Sequence, residues 1–363
     1  MNDEYYMKLA LRLARKGQGY TSPNPMVGAI LVKNNRIIGQ GYHRYCGTEH
    51  AEVNAIRNAG SNSAGATLYV TLEPCCHHGQ TPPCTEIIIK NKIARVVVGS
   101  IDTNPLVSCR GINLLRASGI EVKSGVMENE CRLLNEIFFH YMETGLPFIT
   151  LKYAQTIDGR IATATGDSKW VSSNKSLVFT HKLRAQHDAI LVGINTVMKD
   201  NPELTVRNVR GRNPVRVIVD ANLIISRRAK VLQNLDKAGT LIATTKKTTN
   251  SDFKKIAASG AVVLTCRATN TGRVDLKDLF KKLAGLNITS VLIEGGARII
   301  TSVLKENLAQ RLIVVIAPKI LGTGTEAVGD LNIRRLDKAK LLYIRKIWHR
   351  NSDIIIDSRL HKI

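Results

Sequence analysis

The sequence predicts two α/β domains in one chain. Short apolar runs rich in β-branched residues alternate with helical stretches along both halves, a pattern typical of largely parallel sheets covered by helices. A length of 363 residues is also long for a single domain. The segment Gly145-Leu146-Pro147 marks the expected boundary, which gives domains over residues 1–146 and 147–363.

The first half begins with a helix over residues 3–17 and then alternates strands with helices. The turn pair Asn34-Asn35, which tolerates positive φ, joins the first two strands. The apolar runs predict strands over 27–32, 37–42, 67–72, 95–99 and 121–126. Helices are expected over 50–58, 84–91 and 111–118.

The second half is richer in strands. Its apolar, β-branched runs predict strands over 148–154, 189–192, 215–219, 240–244, 261–265, 290–293, 312–317, 341–347 and 352–356. One of them leads through Glu294-Gly295-Gly296 into a helix over 297–305. Such a Gly-rich turn can present backbone N–H groups to a phosphate, although glycines after a strand more often only make the turn.

Composition excludes some classes of protein. The apolar runs are too short to span a bilayer, and the first residues have neither the basic start nor the apolar stretch of a signal peptide. Seven cysteines are odd in number and lack a framework spacing. Free thiols and metal ligands in a reducing cytoplasm therefore fit better than disulfides.

The net charge of +23 is unevenly distributed. Residues 1–147 hold 15 Lys/Arg and 12 Asp/Glu, a net +3, whereas residues 148–363 hold 37 and 17, a net +20. A basic half suits phosphorylated ligands or nucleic acid, and a solvated lysine-rich surface is the plain alternative. Scattered basic residues and 5% aromatic content make nucleic acid the weaker choice.

One histidine and two cysteines carry the strongest chemical signal. His50-Ala51-Glu52 is followed 22 residues later by Pro74-Cys75, and then by Cys84. Three such ligands leave one position of a zinc tetrahedron for water, whereas structural sites fill all four. Zinc lowers the pKa of that water, and Glu52 lies close enough to shuttle protons without being a ligand. This is the pattern of zinc deaminases, with eight residues instead of two between the cysteines.

Two other functions remain open at this point. The zinc pattern and the basic second half would also suit a nucleic-acid (tRNA) base deaminase with a basic binding domain, although the eight-residue spacing argues against it. A zinc-stabilised binding module without turnover would need a fourth protein ligand, which His77 or Cys76 could supply.

Single residues of the second half are less specific. Asp158-Gly159 is a strong turn signal. Trp170 could stack on a ligand, but a core tryptophan is the default. Arg184 and Arg207 could bind a phosphate, although an arginine on a basic surface usually contacts solvent. These residues alone indicate an anion-binding α/β domain.

The ordered set of motifs resembles the bifunctional riboflavin-biosynthesis deaminase/reductase family across essentially the whole chain. In the first half the matching segments are residues 23–28, His43, 50–52, 72–84 and 102–105. In the second half they are residues 152–154, 158–162, 168–170, 181–185, 188–193, 196–197, 200–202 with Leu204 and Arg207, 294–296 and 319–322. The gap that carries Gly79 and Thr81-Pro82-Pro83-Cys84 is typical of that family.

The resemblance implies an N-terminal cytidine-deaminase-like α/β/α domain and a C-terminal dihydrofolate-reductase-like α/β domain. The first would deaminate a diamino-ribosylamino-pyrimidinone 5′-phosphate, with one Zn²⁺ on His50, Cys75 and Cys84 and with Glu52 as the proton shuttle. The second would reduce the ribosyl group to ribityl with NADPH. The family-like substrate contacts are Ser168, Arg184, Leu204, Arg207 and Glu294, and the cofactor contacts are Ala154, Trp170, Thr196, Asp200 and Gly296. A cytoplasmic homodimer formed through the second domain is also implied.

Three departures from the family pattern flank the zinc motif. Cys76 stands where serine is frequent, Gln80 replaces a usually basic residue, and Ser108-Cys109-Arg110 replaces a small pair. We expect Gln80 to remove or move one contact to the substrate phosphate. Activity should survive, since none of the three touches the zinc chemistry directly.

Overall fold

The computed structural model describes residues 2–79, 81–104, 108–246 and 251–361. The chain forms two compact units, Met1–Gly145 and Leu146–Ile363. No described helix is long and apolar enough to cross a membrane.

Unit 1 is a five-stranded sheet covered by helices on both faces. Its strands, in the spatial order β2-β1-β3-β4-β5, are β1 (Gly28–Lys33), β2 (Arg36–Tyr42), β3 (Thr67–Leu72), β4 (Arg95–Ser100) and β5 (Glu121–Lys123). Strand β1 is antiparallel to β2 and β3, whereas β3, β4 and β5 are parallel. Its helices are α1 (Asp3–Ala14), α2 (Ala51–Ala59), α3 (Cys84–Lys90), α4 (Arg110–Ala117), α5 (Glu128–Leu134) and α6 (Glu136–Thr144).

Alternation along the central strands divides unit 1 into two cores. Leu68 and Val70 of β3 pack in one hydrophobic cluster with α2, α3 and α4. Tyr69, on the opposite face of the same strand, packs in a second cluster with α1 and α5. This period-two pattern requires helices on both faces and gives the α/β/α layering predicted for the first domain.

Unit 2 is built on a nine-stranded sheet in the order β11-β10-β9-β8-β12-β6-β13-β16-β15. Its large-sheet strands are β6 (Phe148–Thr156), β8 (Ala189–Gly193), β9 (Val215–Val219), β10 (Thr240–Thr244), β11 (Val262–Thr265), β12 (Ser290–Gly295), β13 (Arg311–Ala317), β15 (Tyr343–Arg350) and β16 (Asp353–Arg359). The sheet is parallel from β11 to β13, and β16 and β15 add to it antiparallel.

Five helices and a small second sheet complete unit 2. The helices are α7 (Asn174–Gln186), α8 (Ile194–Asp200), α9 (Ser251–Ala257), α10 (Leu276–Gly285) and α11 (Ala297–Lys305). Strands β7 (Arg160–Thr163) and β14 (Gly324–Glu326) pair antiparallel outside the large sheet. The alternation seen in unit 1 recurs, since Leu191 of β8 packs with α10 and α11 whereas Ile190 packs with α8 and α9.

The predicted elements differ from the structure in several respects. Residues 127–144 carry no predicted element but form α5 and α6. Strands β7 and β14 and helices α7 to α10 also have no predicted range. The last strand of unit 1 ends at Lys123 rather than residue 126. The Asn34-Asn35 turn is as expected, with φ of 50° and 58°.

Candidate functional site

His50 and Glu52 are positioned by the start of α2. His50 is the residue that precedes the helix, in extended conformation with φ −74° and ψ 166°. Glu52 lies in the first helical turn and is only 3% exposed. Both side chains therefore reach the same end of the sheet from one rigid helix terminus.

The two cysteines reach the same place from different elements. Cys75 lies in the loop after β3, and Cys84 is the first residue of α3. The Cys84 backbone N–H donates to the Cys75 Sγ over 3.4 Å. A donor at a helix N-terminus stabilises the thiolate form of cysteine that metals bind.

The three predicted ligand atoms fit a zinc ion. The His50 Nδ1 is 3.2 Å from the Cys84 Sγ and 3.5 Å from the Cys75 Sγ, and all three atoms lie within 4.8 Å of one another. A tetrahedral Zn²⁺ at about 2.0 Å from nitrogen and about 2.3 Å from sulfur would place those atoms about 3.5 Å apart. Among the described residues this cluster contains neither Cys76 nor His77, so it is a three-ligand site.

The pKa values of the Cys75 and Cys84 thiols are shifted in opposite directions. A hydrogen bond from Cys84, opposed by burial and helped by His50, lowers the pKa of Cys75 to about 4. The same hydrogen bond, together with burial, raises the pKa of Cys84 well above its usual value.

Glu52 is a buried carboxylate without a complete set of partners. Its Oε2 atom is buried and accepts no hydrogen bond from the described residues. Burial raises the pKa of Glu52, while the neighbouring His50 opposes that shift. A carboxyl group with a raised pKa beside a metal-ligand cluster is suited to take up and return a proton.

A cavity of about 290 Å³ opens onto the cluster. His43 lines it, with ring nitrogens near the Asn24 Nδ2 and the Glu49 carbonyl oxygen, each at 3.2 Å. The His43 ring also stands edge-on to His50, with 5.3 Å between ring centroids. These contacts fix the polar wall on which a flat heterocycle could lie.

Glu73 also lines the cavity. Its carboxylate accepts the backbone N–H groups of Asp102, Cys109 and Ile112 at 3.3, 3.0 and 3.2 Å. Burial raises the pKa of Asp102, which also lines the cavity, to about 6. The Glu73 bonds hold the chain around Cys109, the position of one departure from the family pattern.

The other two departures from the family pattern are Cys76 and Gln80. Cys76 is half-buried, and burial, followed by Glu73 and Cys75, raises its pKa, so the neutral thiol is favoured next to the ligand Cys75. Gln80 lies outside the described residues.

A second, larger cavity of about 960 Å³ adjoins the first. Gly47, Thr48 and Thr81 line both cavities. The described lining of the zinc-side cavity contains no lysine or arginine, whereas Lys16, Arg44 and Arg57 line the second. Positive charge is therefore available beside the cluster but not within its cavity.

In unit 2 the predicted substrate residues Arg184 and Glu294 form a buried ion pair. The Arg184 Nε and Nη2 each donate to a Glu294 carboxylate oxygen over 2.7 Å, and the two side chains are 10% and 7% exposed. Arg184 also donates to the Thr205 carbonyl at 3.0 Å. Burial works against ionisation of Glu294, but Arg184 outweighs it and the pKa of Glu294 is lowered.

Lys152 and His181 belong to the same cluster and are not among the predicted site residues. Burial lowers the pKa of Lys152, with Glu294 opposing and Arg184 reinforcing the shift. Burial, then Arg184 and Arg207, lowers the pKa of His181 to about 4. Its Nδ1 accepts the Arg207 backbone N–H at 3.1 Å. A lysine inside the apolar run 148–154 is the signal that could have identified Lys152.

The predicted cofactor residues Thr196 and Gly296 meet at the start of α11. Gly296 precedes the helix with φ +82°, and a Cβ on it would lie 3.6 Å from the Thr196 Oγ1. A glycine turn at a helix N-terminus fits a phosphate-bearing cofactor such as NADPH. Ala154 lies on β6 and Asp200 ends α8.

The remaining predicted residues are less closely joined. Leu204 is 3% exposed with φ 55°, whereas the Trp170 side chain is 66% exposed. Ser168 and Asp200 make no hydrogen bond to the described members of the Arg184–Glu294 cluster.

Comparisons with known proteins agree with this two-part architecture. Residues 1–100 match the family model for the cytidine and deoxycytidylate deaminase zinc-binding region, and residues 147–356 match the RibD C-terminal domain. The chain is 49% identical to the riboflavin biosynthesis protein RibD of Aquifex aeolicus, over 98% of this chain and 97% of that protein. The RibD of Escherichia coli is 37% identical over 98% and 99%.

Solved structures give the same result. A Thermotoga maritima diaminohydroxyphosphoribosylaminopyrimidine deaminase/5-amino-6-(5-phosphoribosylamino)uracil reductase superposes with a TM-score of 0.86 at 36% identity, covering 99% of both chains. Acinetobacter baumannii RibD superposes with a TM-score of 0.90 at 34% identity, also covering 99% of both.

Zinc content should depend on the cysteines and not on Glu52. We expect Cys75→Ser and Cys84→Ser to lose the bound zinc, and Glu52→Gln to retain it, because Glu52 supplies none of the clustered ligand atoms. Atomic emission spectrometry of dialysed protein measures the metal, with Cys46→Ser as the exposed-thiol control. Loss of zinc from Glu52→Gln would contradict the assigned ligand set.

Proposed function

The chain belongs to the bifunctional riboflavin-biosynthesis deaminase/reductase family, and from this premise we propose which residues carry its two reactions and on which substrates. It is an enzyme with a zinc-dependent deaminase activity and an NADPH-dependent reductase activity. We assign deamination to residues 1–146 and reduction to residues 147–363. The observation that carries the deaminase assignment is the three-ligand cluster beside the buried carboxylate of Glu52.

The proposed deaminase substrate is 2,5-diamino-6-ribosylamino-4(3H)-pyrimidinone 5′-phosphate. His50, Cys75 and Cys84 would hold the Zn²⁺, which as a Lewis acid would make water nucleophilic near neutral pH. Glu52 removes a proton from the attacking water and returns it to the departing ammonia, a role that its burial and raised pKa support. His43 and Asn24 orient the pyrimidine in the cavity.

The proposed reductase converts the ribosyl group of the deaminated product to ribityl, giving 5-amino-6-ribitylamino-uracil 5′-phosphate. NADPH supplies the hydride. Ser168, Arg184, Leu204, Arg207 and Glu294 contact the substrate, and Ala154, Trp170, Thr196, Asp200 and Gly296 contact the cofactor. The buried Arg184–Glu294 pair supports this assignment, because two desolvated charges of fixed geometry suit recognition of a polar ligand.

The enzyme's partners are proposed to be small molecules and a second copy of the chain, with neither nucleic acid nor membrane. Scattered basic residues without aromatic interleaving support the exclusion of nucleic acid. We place the enzyme in the cytoplasm, because its described cysteines form no disulfide and a reducing compartment keeps thiols in that state.

A paired assay tests the whole proposal. The diamino-pyrimidinone ribosyl phosphate and NADPH are supplied to zinc-loaded enzyme, and ammonia release and NADPH oxidation are recorded together. Glu52→Gln should lower ammonia release by at least about a hundredfold while the deaminated intermediate still drives NADPH oxidation. Glu294→Gln should do the reverse, because a buried Arg184 loses its partner. Loss of both activities in either variant, with the fold intact, would contradict two independent sites.

The phosphate of the deaminase substrate is proposed to reach the adjoining cavity. Lys16 and Arg44 line that cavity and lie 5.8 and 5.7 Å from the centroid of the Tyr42 ring, and neither has an ion pair with a described acidic residue. By contrast, Arg57 donates twice to Glu49. With Gln80 at a usually basic position, Lys16 and Arg44 are the cations available for a phosphate dianion.

Removing either cation should weaken binding of phosphorylated substrate. We expect Arg44→Gln and Lys16→Gln each to raise the deaminase KM about tenfold with little change in kcat, since one charge-assisted contact is lost. The dephosphorylated substrate should show no such effect. Lys8→Gln, on the exposed face of α1, is the control. Equal loss on both substrates would place the phosphate elsewhere.

The homodimer is proposed to form through β15. This strand is one of the two edge strands of the nine-stranded sheet. Ile344 and Ile347 on it are 60% and 53% exposed. Exposed apolar edge strands pair readily with another strand. Ile344→Lys should halve the mass measured by sedimentation equilibrium, and Ile224→Lys, at a position 54% exposed elsewhere in the unit, should not. An unchanged mass for Ile344→Lys would move the interface off β15.

A further inference from the structure

Two loops leave the sheet of unit 2 at the carboxyl ends of neighbouring strands. Strands β6 and β13 are parallel neighbours that end at Thr156 and Ala317, which are paired in register. Ligands of open α/β sheets bind at the carboxyl ends of the strands. The turn after β6 and the loop after β13 therefore lie at the carboxyl ends of the strands, as Glu294 does on the neighbouring β12.

The Asp158 carboxylate joins these loops. Its Oδ2 accepts the backbone N–H of Gly322 at 2.7 Å and that of Leu321 at 3.1 Å. Its Oδ1 accepts the hydroxyl of Thr156 at the end of β6. Nearby, the Ile157 N–H donates to the Lys319 carbonyl at 3.0 Å. Asp158-Gly159 is thus a turn, as its sequence predicts, and also a joint between two loops.

A second set of contacts fixes the direction of the joined loops. Arg160, the first residue of β7, donates through Nε to the Gly322 carbonyl at 2.8 Å and pairs with Glu326 of β14 at 2.6 Å. The β7–β14 ladder continues from this point, with Gly324 opposite Thr163. These contacts hold the two loops together, so that they form one wall at the carboxyl ends of the strands.

Lys319 connects this wall to Trp170. Its Nζ donates to the Trp170 backbone carbonyl at 2.7 Å. The Trp170 side chain is 66% exposed, so the indole has surface free for a ligand. Backbone support combined with an open ring is the arrangement expected of a residue held in place for stacking.

We propose that Asp158 is a positioning residue of the reductase: by clamping the loop after β13 to the turn after β6, it holds Lys319, and through Lys319 the backbone of Trp170, in place for the dinucleotide cofactor. The inference rests on the proposed function, in which Trp170 contacts NADPH. Asp158 itself touches neither substrate nor cofactor.

The negative charge of Asp158 strengthens this joint. Asp158 receives two backbone N–H groups and one hydroxyl, and these bonds, that from Thr156 foremost, lower the pKa of its carboxyl group. An asparagine in its place keeps one acceptor oxygen and loses the charge, so the bonds from Leu321 and Gly322 are no longer charge-assisted. Asp158→Asn therefore weakens the joint with almost no change of volume.

The first experiment separates cofactor binding from chemistry. In Asp158→Asn we expect the KM and Kd for NADPH to rise about tenfold and kcat to change less than about twofold, because a charge-assisted contact that only positions Trp170 is lost. Ammonia release by the first domain should be unchanged, and an unchanged thermal unfolding transition reports the intact fold of the second. Asp337→Asn removes an exposed carboxylate paired with Arg335 and is the matched control.

The second experiment follows Trp170 directly. The chain has two tryptophans, so Trp348→Phe leaves Trp170 as the single emitter. In that background Asp158→Asn and Lys319→Met should each increase acrylamide quenching and reduce energy transfer to bound NADPH. Lys319→Arg, which keeps a donor for the Trp170 carbonyl, should restore both signals. The double variant should lose no more affinity than either single one, since both act through one joint.

Several outcomes would overturn the inference. Unchanged NADPH affinity and Trp170 emission in Asp158→Asn would remove the positioning role, and a fall in kcat at constant KM would place Asp158 in the chemistry instead. Additive effects in the double variant would show two separate contributions. Unchanged NADPH affinity in Trp170→Leu would remove the contact on which the inference rests. A parent enzyme that releases no ammonia and oxidises no NADPH would instead overturn the proposed function.

Discussion

Both halves of the chain depend on one constraint: a parallel sheet with helices on both faces leaves only its strand ends open for chemistry. In unit 1 the ligand Cys75 follows the end of β3, and Glu73 in the same loop binds three backbone N–H groups of the neighbouring segment. In unit 2 Glu294 lies near the end of β12 and Gly296 just beyond it. Core packing occupies the faces of the central strands of both sheets, so the strand ends carry the polar groups.

The strand ends of the unit 2 sheet hold more buried charge than the stability of the fold favours. Arg184 and Glu294 form a buried pair, and the buried amine of Lys152 lies within electrostatic reach of both. Burying such groups costs several kcal/mol per ion before their attraction is counted, and apolar replacements are often neutral or stabilising. The arrangement is therefore not favoured by stability alone, and it suits the ligand recognition proposed for these residues, because directed and desolvated charges give specificity.

Local chemical rules made much of this structure predictable, and long-range contacts supplied the rest. The clustering of His50, Cys75 and Cys84 could be predicted because a metal site requires particular residue types in a set order, and the strands because their apolar runs are distinct. Residues 184 and 294 are 110 positions apart, so no local pattern predicts their pairing. Strands β7 and β14 have only four and three residues, and Asp158 has its joining role only through the distant Leu321 and Gly322.

Each of the five hydrophobic clusters draws its residues from one unit. The clusters around Leu68 and Tyr69 use residues before Gly145, and those around Leu191, Ile190 and Ile313 use residues after it. Each half thus contains the apolar interior that a separate protein would need. Core substitutions in one half can accumulate without compensating changes in the other, so the two catalysts can diverge, be exchanged or be encoded separately as independent modules.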